Sequence, residues 1–226
     1  MYQKIKLLFI SCLYPLLYFM CQVAVQMVVL QIIFYKYGRE ESSIMKVNEK
    51  MYMMTLYAAI LCFLILFLIN LVKKEKIFNH YSKMSFMKTV KCVVNAFGLY
   101  IIIIIMNAVL IQFFPTYDDQ IMGLFKIEQP ILAIFVIGIV APLVEELIFR
   151  GMVYQELEKS FSVSMVIFLQ AALFGLIHPI GLQKIQTFIM GLFFGYVRAK
   201  TKNVWPSTVM HMTNNIIACL LVFVLL

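Results

Sequence analysis

The sequence QPILAIFVIGIVAPLVEELIFRGMV, residues 129–153, is an apolar run that places two glutamates and an arginine near its end. It exceeds the roughly 20 residues that a helix needs to cross a bilayer. The polar stretch that follows, YQELEKS at 154–160, is predicted to carry the helix beyond the membrane. The three charges therefore lie inside the membrane, where ionisable groups are costly and usually serve a function.

Further apolar runs of similar length occupy most of the remaining chain. The 226 residues are 63% hydrophobic and 13% charged, with a mean hydropathy of +0.94, which excludes a soluble globular domain. We predict an all-α, multi-pass bundle of about seven helices in the cell membrane. The runs fall at residues 7–35, 51–72, 92–115, 129–153, 162–178, 182–198 and 203–226. We treat the chain as one membrane domain, with helices 1 to 3 in residues 1–128 and a four-helix catalytic core in 129–226.

Charged residues in the loops predict the orientation of the bundle. Six lysines lie between residues 73 and 91, whereas acidic residues dominate the loop at 116–128. The positive-inside rule then places the N-terminus inside and the C-terminus outside. Lys4, Lys6 and the basic segment 198–202 agree with this assignment. The net charge of +8 follows from topology, and we predict no nucleic-acid partner.

Three polar residues in separate apolar helices are predicted to reach the same depth. Glu145 lies 16 residues before Phe161, where the chain should turn back, and His178 lies 17 residues after it. At roughly 1.5 Å of rise per residue, both side chains reach a level about 24 Å from the turn. His211 lies nine residues after Lys202, which gives helix 7 a similar depth. These side chains can share one pocket.

Helical geometry divides the neighbouring polar residues between tasks. Adjacent helical residues point about 100° apart, so Glu145 and Glu146 cannot share one task. Glu146 and Arg150 are spaced i, i+4 and can form a structural ion pair. Asn215 follows His211 at the same spacing, on the same face of helix 7. The predicted catalytic residues are therefore Glu145, His178, His211 and Asn215.

Two kinds of chemistry fit these residues. A carboxylate beside a histidine in a desolvated cleft can take a proton from water. A second histidine and an amide are donors suited to a developing oxyanion, which together predicts hydrolysis of an amide. The alternative is a catalytic zinc site with Glu145, His178 and His211 as ligands. The sequence contains no H-E-x-x-H motif, and both interpretations use the same residues.

Three motifs in the second half of the chain resemble those of a known membrane-protein family. They are EELIFR at 145–150, FGLIH at 174–178 and HMTNN at 211–215. Their order and spacing resemble the CAAX endopeptidase and bacteriocin-processing family, also called type II CAAX prenyl endopeptidases or the Abi family. The similarity covers about residues 130–220, and residues 1–128 contain no matching motif.

The resemblance implies an intramembrane endopeptidase that acts on a membrane-associated peptide or protein. It implies that Glu145 and His178 activate water, that His211 and Asn215 hold the oxyanion, and that the charged pair of EELIFR supports them. Both a metalloprotease mechanism and a glutamate-dependent mechanism without an obligatory metal are argued for the family, so zinc is a possible cofactor. The family includes prenyl-protein processing in eukaryotes and bacteriocin immunity or pheromone maturation in bacteria. The Lys-, Ile- and Phe-rich composition favours bacterial peptide processing.

Two functions without proteolysis are the alternatives. Immunity members of the family suggest a non-catalytic bacteriocin immunity or scaffold membrane protein. Intramembrane glutamate and histidine also build proton relays, as in a proton-coupled transporter. The sequence lacks the paired interrupted helices in two halves that transporters of that kind use. Protection of cells by a Glu145→Gln, His211→Ala variant would identify the immunity function.

Overall fold

The computed structural model describes residues 2–40, 46–47, 50–73, 80–117, 129–178 and 181–225. These residues form seven helices and no strand, so the predicted all-α polytopic bundle of about seven helices is confirmed. The helices are α1 (Tyr2–Tyr37), α2 (Met51–Lys73), α3 (Phe86–Leu110), α4 (Pro130–Glu158), α5 (Val163–Leu176), α6 (Gly181–Thr201) and α7 (Trp205–Leu225).

Five helices, α1 to α4 and α7, are long and apolar enough to cross a membrane by length and composition. The chain is thus a multi-pass membrane protein. Helix α5 has 14 residues, or about 21 Å, and is shorter than the roughly 30 Å hydrocarbon core. Helix α6 has 21 residues but carries polar groups at Gln183, Lys184 and Gln186. The predicted runs at 162–178 and 182–198 therefore form helices, α5 and α6, that do not meet both the length and the composition criteria for crossing a membrane.

Helix α4 lies at the centre of the bundle and packs against α1, α2, α5 and α7. It leaves α-helical geometry twice and is π-helical over Ile134–Val140 and Leu147–Val153. Every residue of the second π-helical segment is buried. Such segments are rare and frequently occur at functional sites. In α4 they lie on either side of the segment that carries Glu145 and Glu146.

Helices α5 and α6 form a tightly packed antiparallel pair. Gly191 and Gly195 allow this close approach: a Cβ atom at Gly191 would lie 2.9 Å from Cα of Ala171. A Cβ atom at Gly195 would collide with the side-chain amide of Gln170. That amide donates to the carbonyl of Gly191 across the interface at 2.7 Å. The small residues therefore bring α5 and α6 into backbone contact.

The N-terminal helices share a hydrophobic core with α4. Tyr18 of α1 and Ala59 of α2 pack in one buried cluster with Val144 and Leu147 of α4. A second cluster joins α3 to α6 and α7 through residues that include Leu99. Helix α4 is thus enclosed on several sides, and this enclosure fixes the rotation of its charged residues.

Candidate active site

A buried ion pair supports the centre of the site. Nη1 of Arg150 lies 3.1 Å from Oε1 of Glu146, and both side chains are fully buried. The guanidinium group also faces the rings of Phe174 and Phe194, at 4.6 Å and 5.2 Å from their centroids. A charge in this setting requires a nearby opposite charge and is further stabilised by aromatic faces. The pair forms at the i, i+4 spacing along α4.

His211 of α7 connects the two adjacent glutamates. Its Nδ1 lies 3.1 Å from Oε1 of Glu146, and its Nε2 lies 3.7 Å from Oε2 of Glu145. An ionised carboxylate only accepts hydrogen bonds, so Nδ1 carries the proton and donates it to Glu146. Neutral His211 therefore presents an unprotonated Nε2 towards Glu145. Glu146 thus orients the imidazole in addition to pairing with Arg150.

His178 follows the last turn of α5 and is oriented by the backbone. Its Nδ1 donates to the carbonyl of Phe174 at 2.8 Å, which leaves Nε2 as the unprotonated nitrogen. The carbonyl is free for this contact because the backbone N–H of His178 is directed to Gly175 instead. The Phe174 ring lies edge-on to both His178 and His211. The charge of Glu145 acts on His178, so these two side chains lie within electrostatic range of each other.

Asn215, the fourth predicted catalytic residue, binds the backbone of α4. Its side-chain amide donates to the carbonyl of Ile137 at 3.0 Å. In the π-helical segment the N–H of Ala141 bonds to Val136, and Pro142, the i+5 neighbour of Ile137, has no N–H to donate. The Ile137 carbonyl therefore lacks its helical donor, and Asn215 supplies one. One N–H of Asn215 is committed to this contact.

The comparisons with known proteins concern the part of the chain that carries this site. Residues 127–217 match the family model described as Type II CAAX prenyl endopeptidase Rce1-like. Over these residues the chain is similar to the Rce1-like family. This match supports the resemblance seen in the three motifs and, at family level, indicates a membrane protease. No curated protein and no solved structure matches the chain.

Two residues that lie close in space to Glu145 or Glu146 were not predicted as site residues from the sequence. Ser207 of α7 is fully buried; its hydroxyl donates to the carbonyl of Val204, and its side chain lies near Glu146. Tyr18 of α1 is 3% exposed and interacts electrostatically with Glu145. Tyr18 lies outside the matched region in an apolar run where a tyrosine gives no distinguishing signal. Only packing of α1 on α4 reveals it.

An apolar groove adjoins the candidate active site. It has a volume of about 410 Å³ and lies between α2, α4 and the start of α7. Leu143, Val144 and Leu147, which flank the two glutamates in sequence, form its α4 wall. Ile60 and Phe63 line it on α2, and both are more than 40% exposed at the outer surface of the bundle. The groove therefore connects the lipid-facing surface with the helix segment that carries the glutamates.

A zinc ion fits the candidate active site only if the donor atoms are of a suitable kind and lie close enough together to bind one ion. Nε2 is unprotonated in His178 and in neutral His211, and each Nδ1–H is held by an oxygen, as in many zinc sites. Within the described ranges, however, no three His, Cys, Asp or Glu side chains are close enough together to hold one ion. The donor types suit zinc, but their arrangement does not fit it.

Proposed function

We propose that the chain is an intramembrane endopeptidase that hydrolyses a peptide bond in a membrane-associated peptide or protein. The main support is the position of Glu145 beside His211 at 3.7 Å and within electrostatic range of His178. The ring orientation of each histidine is fixed by a separate acceptor. A carboxylate and an oriented, unprotonated imidazole nitrogen are suited to activating water. Bacterial peptide processing, including bacteriocin-related processing, is the proposed biological context.

The reaction begins with a water molecule between the carboxylate of Glu145 and Nε2 of His178. This pair takes a proton from the water as its oxygen attacks the carbonyl carbon of the substrate. The carbon–nitrogen bond then breaks, and the proton passes to the departing nitrogen. His211, whose ring is oriented by Glu146, donates to the oxyanion through Nε2 in its doubly protonated form.

The apolar groove supplies the route for substrate. A peptide held in the membrane reaches the groove along the exposed face of α2 at Ile60 and Phe63. Its apolar side chains then pack against Leu143 and Leu147, and burial of each CH₂ group contributes about 0.8 kcal/mol. The scissile bond is thereby delivered to the part of α4 that carries Glu145.

The proposal predicts that cleavage requires Glu145 and His178. Glu145→Gln and His178→Ala proteins, reconstituted with an acylated fluorogenic peptide, should lose at least a hundredfold in kcat, since acid–base groups contribute about 10² to 10⁴. Glu156→Gln is the matched control, because Glu156 lies on the same helix and pairs with Lys159. Cleavage by Glu145→Gln at the parent rate would exclude the proposed reaction. Inhibition by a chelator, reversed by zinc, would establish a metal mechanism instead.

A further inference from the structure

A short segment outside the Rce1-like region is held against the site. Residues 80–85, here called the strap, precede α3 and lie on the turn between α6 and α7. Val204 donates its backbone N–H to the carbonyl of His80 at 2.9 Å. Asn203 accepts from the N–H of Ser82 at 3.2 Å and donates to its carbonyl at 2.9 Å. The strap is therefore fixed through its backbone.

Arg198 connects the strap to α4. Its Nη2 donates to Nδ1 of His80 at 3.1 Å, and its Nε donates to the carbonyl of Arg150 at 3.1 Å. The guanidinium group also stacks over the ring of Tyr154, 4.9 Å from its centroid. Arg198 is 3% exposed. The strap is thus held against the helix whose Arg150 pairs with Glu146.

Tyr81, the second residue of the strap, borders the groove and the site at once. Its ring packs edge-on against Trp205, with centroids 5.1 Å apart, and both rings line the groove. Its hydroxyl lies near Thr208 and in electrostatic range of Glu146. A substrate side chain that enters the groove next to the scissile bond therefore meets the ring of Tyr81.

We propose that Tyr81 is a specificity-determining residue, which limits the size of the apolar side chain accepted beside the scissile bond. The inference rests on the proposed peptidase function. The backbone contacts and Arg198 hold the strap without help from the Tyr81 ring. Tyr81→Ala therefore enlarges this end of the groove and leaves the strap docked, whereas Tyr81→Phe preserves its size. A pocket that gains or loses one methylene discriminates by about 10- to 200-fold, so removal of a ring has a measurable effect.

Trp205 is the only tryptophan in the chain, so its fluorescence reports binding near Tyr81. The Glu145→Gln substitution prevents cleavage during the measurement. The probes are two acylated peptides that differ at one position, where one carries alanine and the other 4-bromophenylalanine. Both are added to Glu145→Gln protein in bromine-free nanodiscs. Quenching of Trp205 fluorescence reports binding of the brominated peptide, and competition by the alanine peptide gives its affinity. Tyr57→Ala, on the exposed face of α2, is the control.

Tyr81→Ala is expected to shift the ratio of the two affinities at least tenfold towards the larger side chain. Tyr81→Phe and Tyr57→Ala should leave the ratio unchanged. An unchanged ratio in Tyr81→Ala, or no quenching of Trp205 by the brominated peptide in Tyr81→Ala protein, overturns the inference. A shifted ratio combined with no cleavage by the parent protein supports a size-selective groove but contradicts the peptidase proposal. Failure of the inference about Tyr81 and failure of the peptidase proposal therefore give different results.

Discussion

At the scale of single residues, one oxygen atom of Glu146 has two partners. Oε1 is 3.1 Å from Nη1 of Arg150 and 3.1 Å from Nδ1 of His211. The first contact offsets the burial of a guanidinium group, and the second fixes the ring orientation of a candidate catalytic histidine. A structural clamp and an orienting contact are thus combined in one carboxylate. Removal of the Glu146 carboxylate should therefore affect stability through Arg150 and activity through His211.

Replacement of Glu146 by glutamine should destabilise the protein because it leaves the Arg150 guanidinium buried without an opposite charge. Breaking a buried pair in this way costs about 3–5 kcal/mol in the free energy of unfolding. The Glu146→Gln, Arg150→Met double variant removes both charges and should recover most of this loss. Denaturant unfolding in detergent measures it. A single variant as stable as the parent would show that the pair is not required.

The same double variant separates the two roles of Glu146. Its peptidase activity should stay low, because a glutamine amide oxygen accepts from Nδ1 of His211 more weakly than the Glu146 carboxylate does. Recovery of parent activity together with stability would show that the contact between Glu146 and His211 has no part in the reaction.

At the scale of elements, the π-helical segments of α4 determine which groups face the neighbouring helices. Gly138, in the first segment, has no side chain, and a Cβ atom there would lie 2.9 Å from the side chain of Ile216 on α7. Close approach at this point brings Asn215 to the carbonyl of Ile137. Pro142 creates the need for that contact, since it cannot donate to the same carbonyl. The proline on α4 and the asparagine on α7 thus form one structural unit.

Loss of the Asn215 amide should cost about 1–3 kcal/mol in stability, the penalty for an unsatisfied polar group away from water. Asn215→Ala is the test, and Pro142→Ala is its partner, because alanine supplies an N–H at position 142. In the Pro142→Ala background, Asn215→Ala should cost clearly less. A double-mutant cycle of unfolding free energies measures this coupling. Additive effects of the two substitutions would contradict the link between Pro142 and Asn215.

At the scale of the whole molecule, contacts between distant segments join the N-terminal half to the Rce1-like region. Tyr18 of α1 packs in the same buried cluster as Val144 and Leu147. The strap, also N-terminal, binds Asn203, which is 121 residues from Ser82. The first half therefore supplies walls and contacts to the site, although it carries none of the family motifs.

Acidic pH should release the strap. Burial and the positive charge of Arg198 lower the pKa of His80 below its usual value of 6.5, while Glu158 and Gln155 act in the opposite direction. Nδ1 of His80 must be unprotonated to accept from Arg198. Because the undocked strap binds the proton more readily, docking is fully stable above about pH 6.5 and weakens as the pH falls through the lowered pKa.

The emission of Trp205, which contacts Tyr81 in the strap, should report this release. In the parent protein the emission should shift reversibly below about pH 6.5, the ordinary pKa of histidine. His80→Gln keeps a neutral acceptor and should lack this transition. His178 and His211 are unchanged in this variant, so a transition that persists in it would assign the effect to those histidines and contradict the role of His80.

The sequence by itself determined the features that depend on short range. Apolar runs of bilayer length gave the helices, and the reversal of the chain between Glu158 and Val163 lies where the polar stretch predicts it. The i, i+4 spacing of Glu146 and Arg150 gave their ion pair, because helical periodicity fixes the direction of side chains within one turn. The three motifs also gave the resemblance that the family match over residues 127–217 supports.

Only the tertiary structure decided how those helices face one another. The orientation of His211 by Glu146, the binding of Asn215 to Ile137 and the docking of the strap all join residues far apart in sequence. Helical periodicity does not fix the rotation of one helix against another, and each π-helical segment changes the phase of α4 by an amount that the apolar pattern does not reveal. Packing around Gly138 and Pro142 sets that phase, and with it the groups that meet at Glu145.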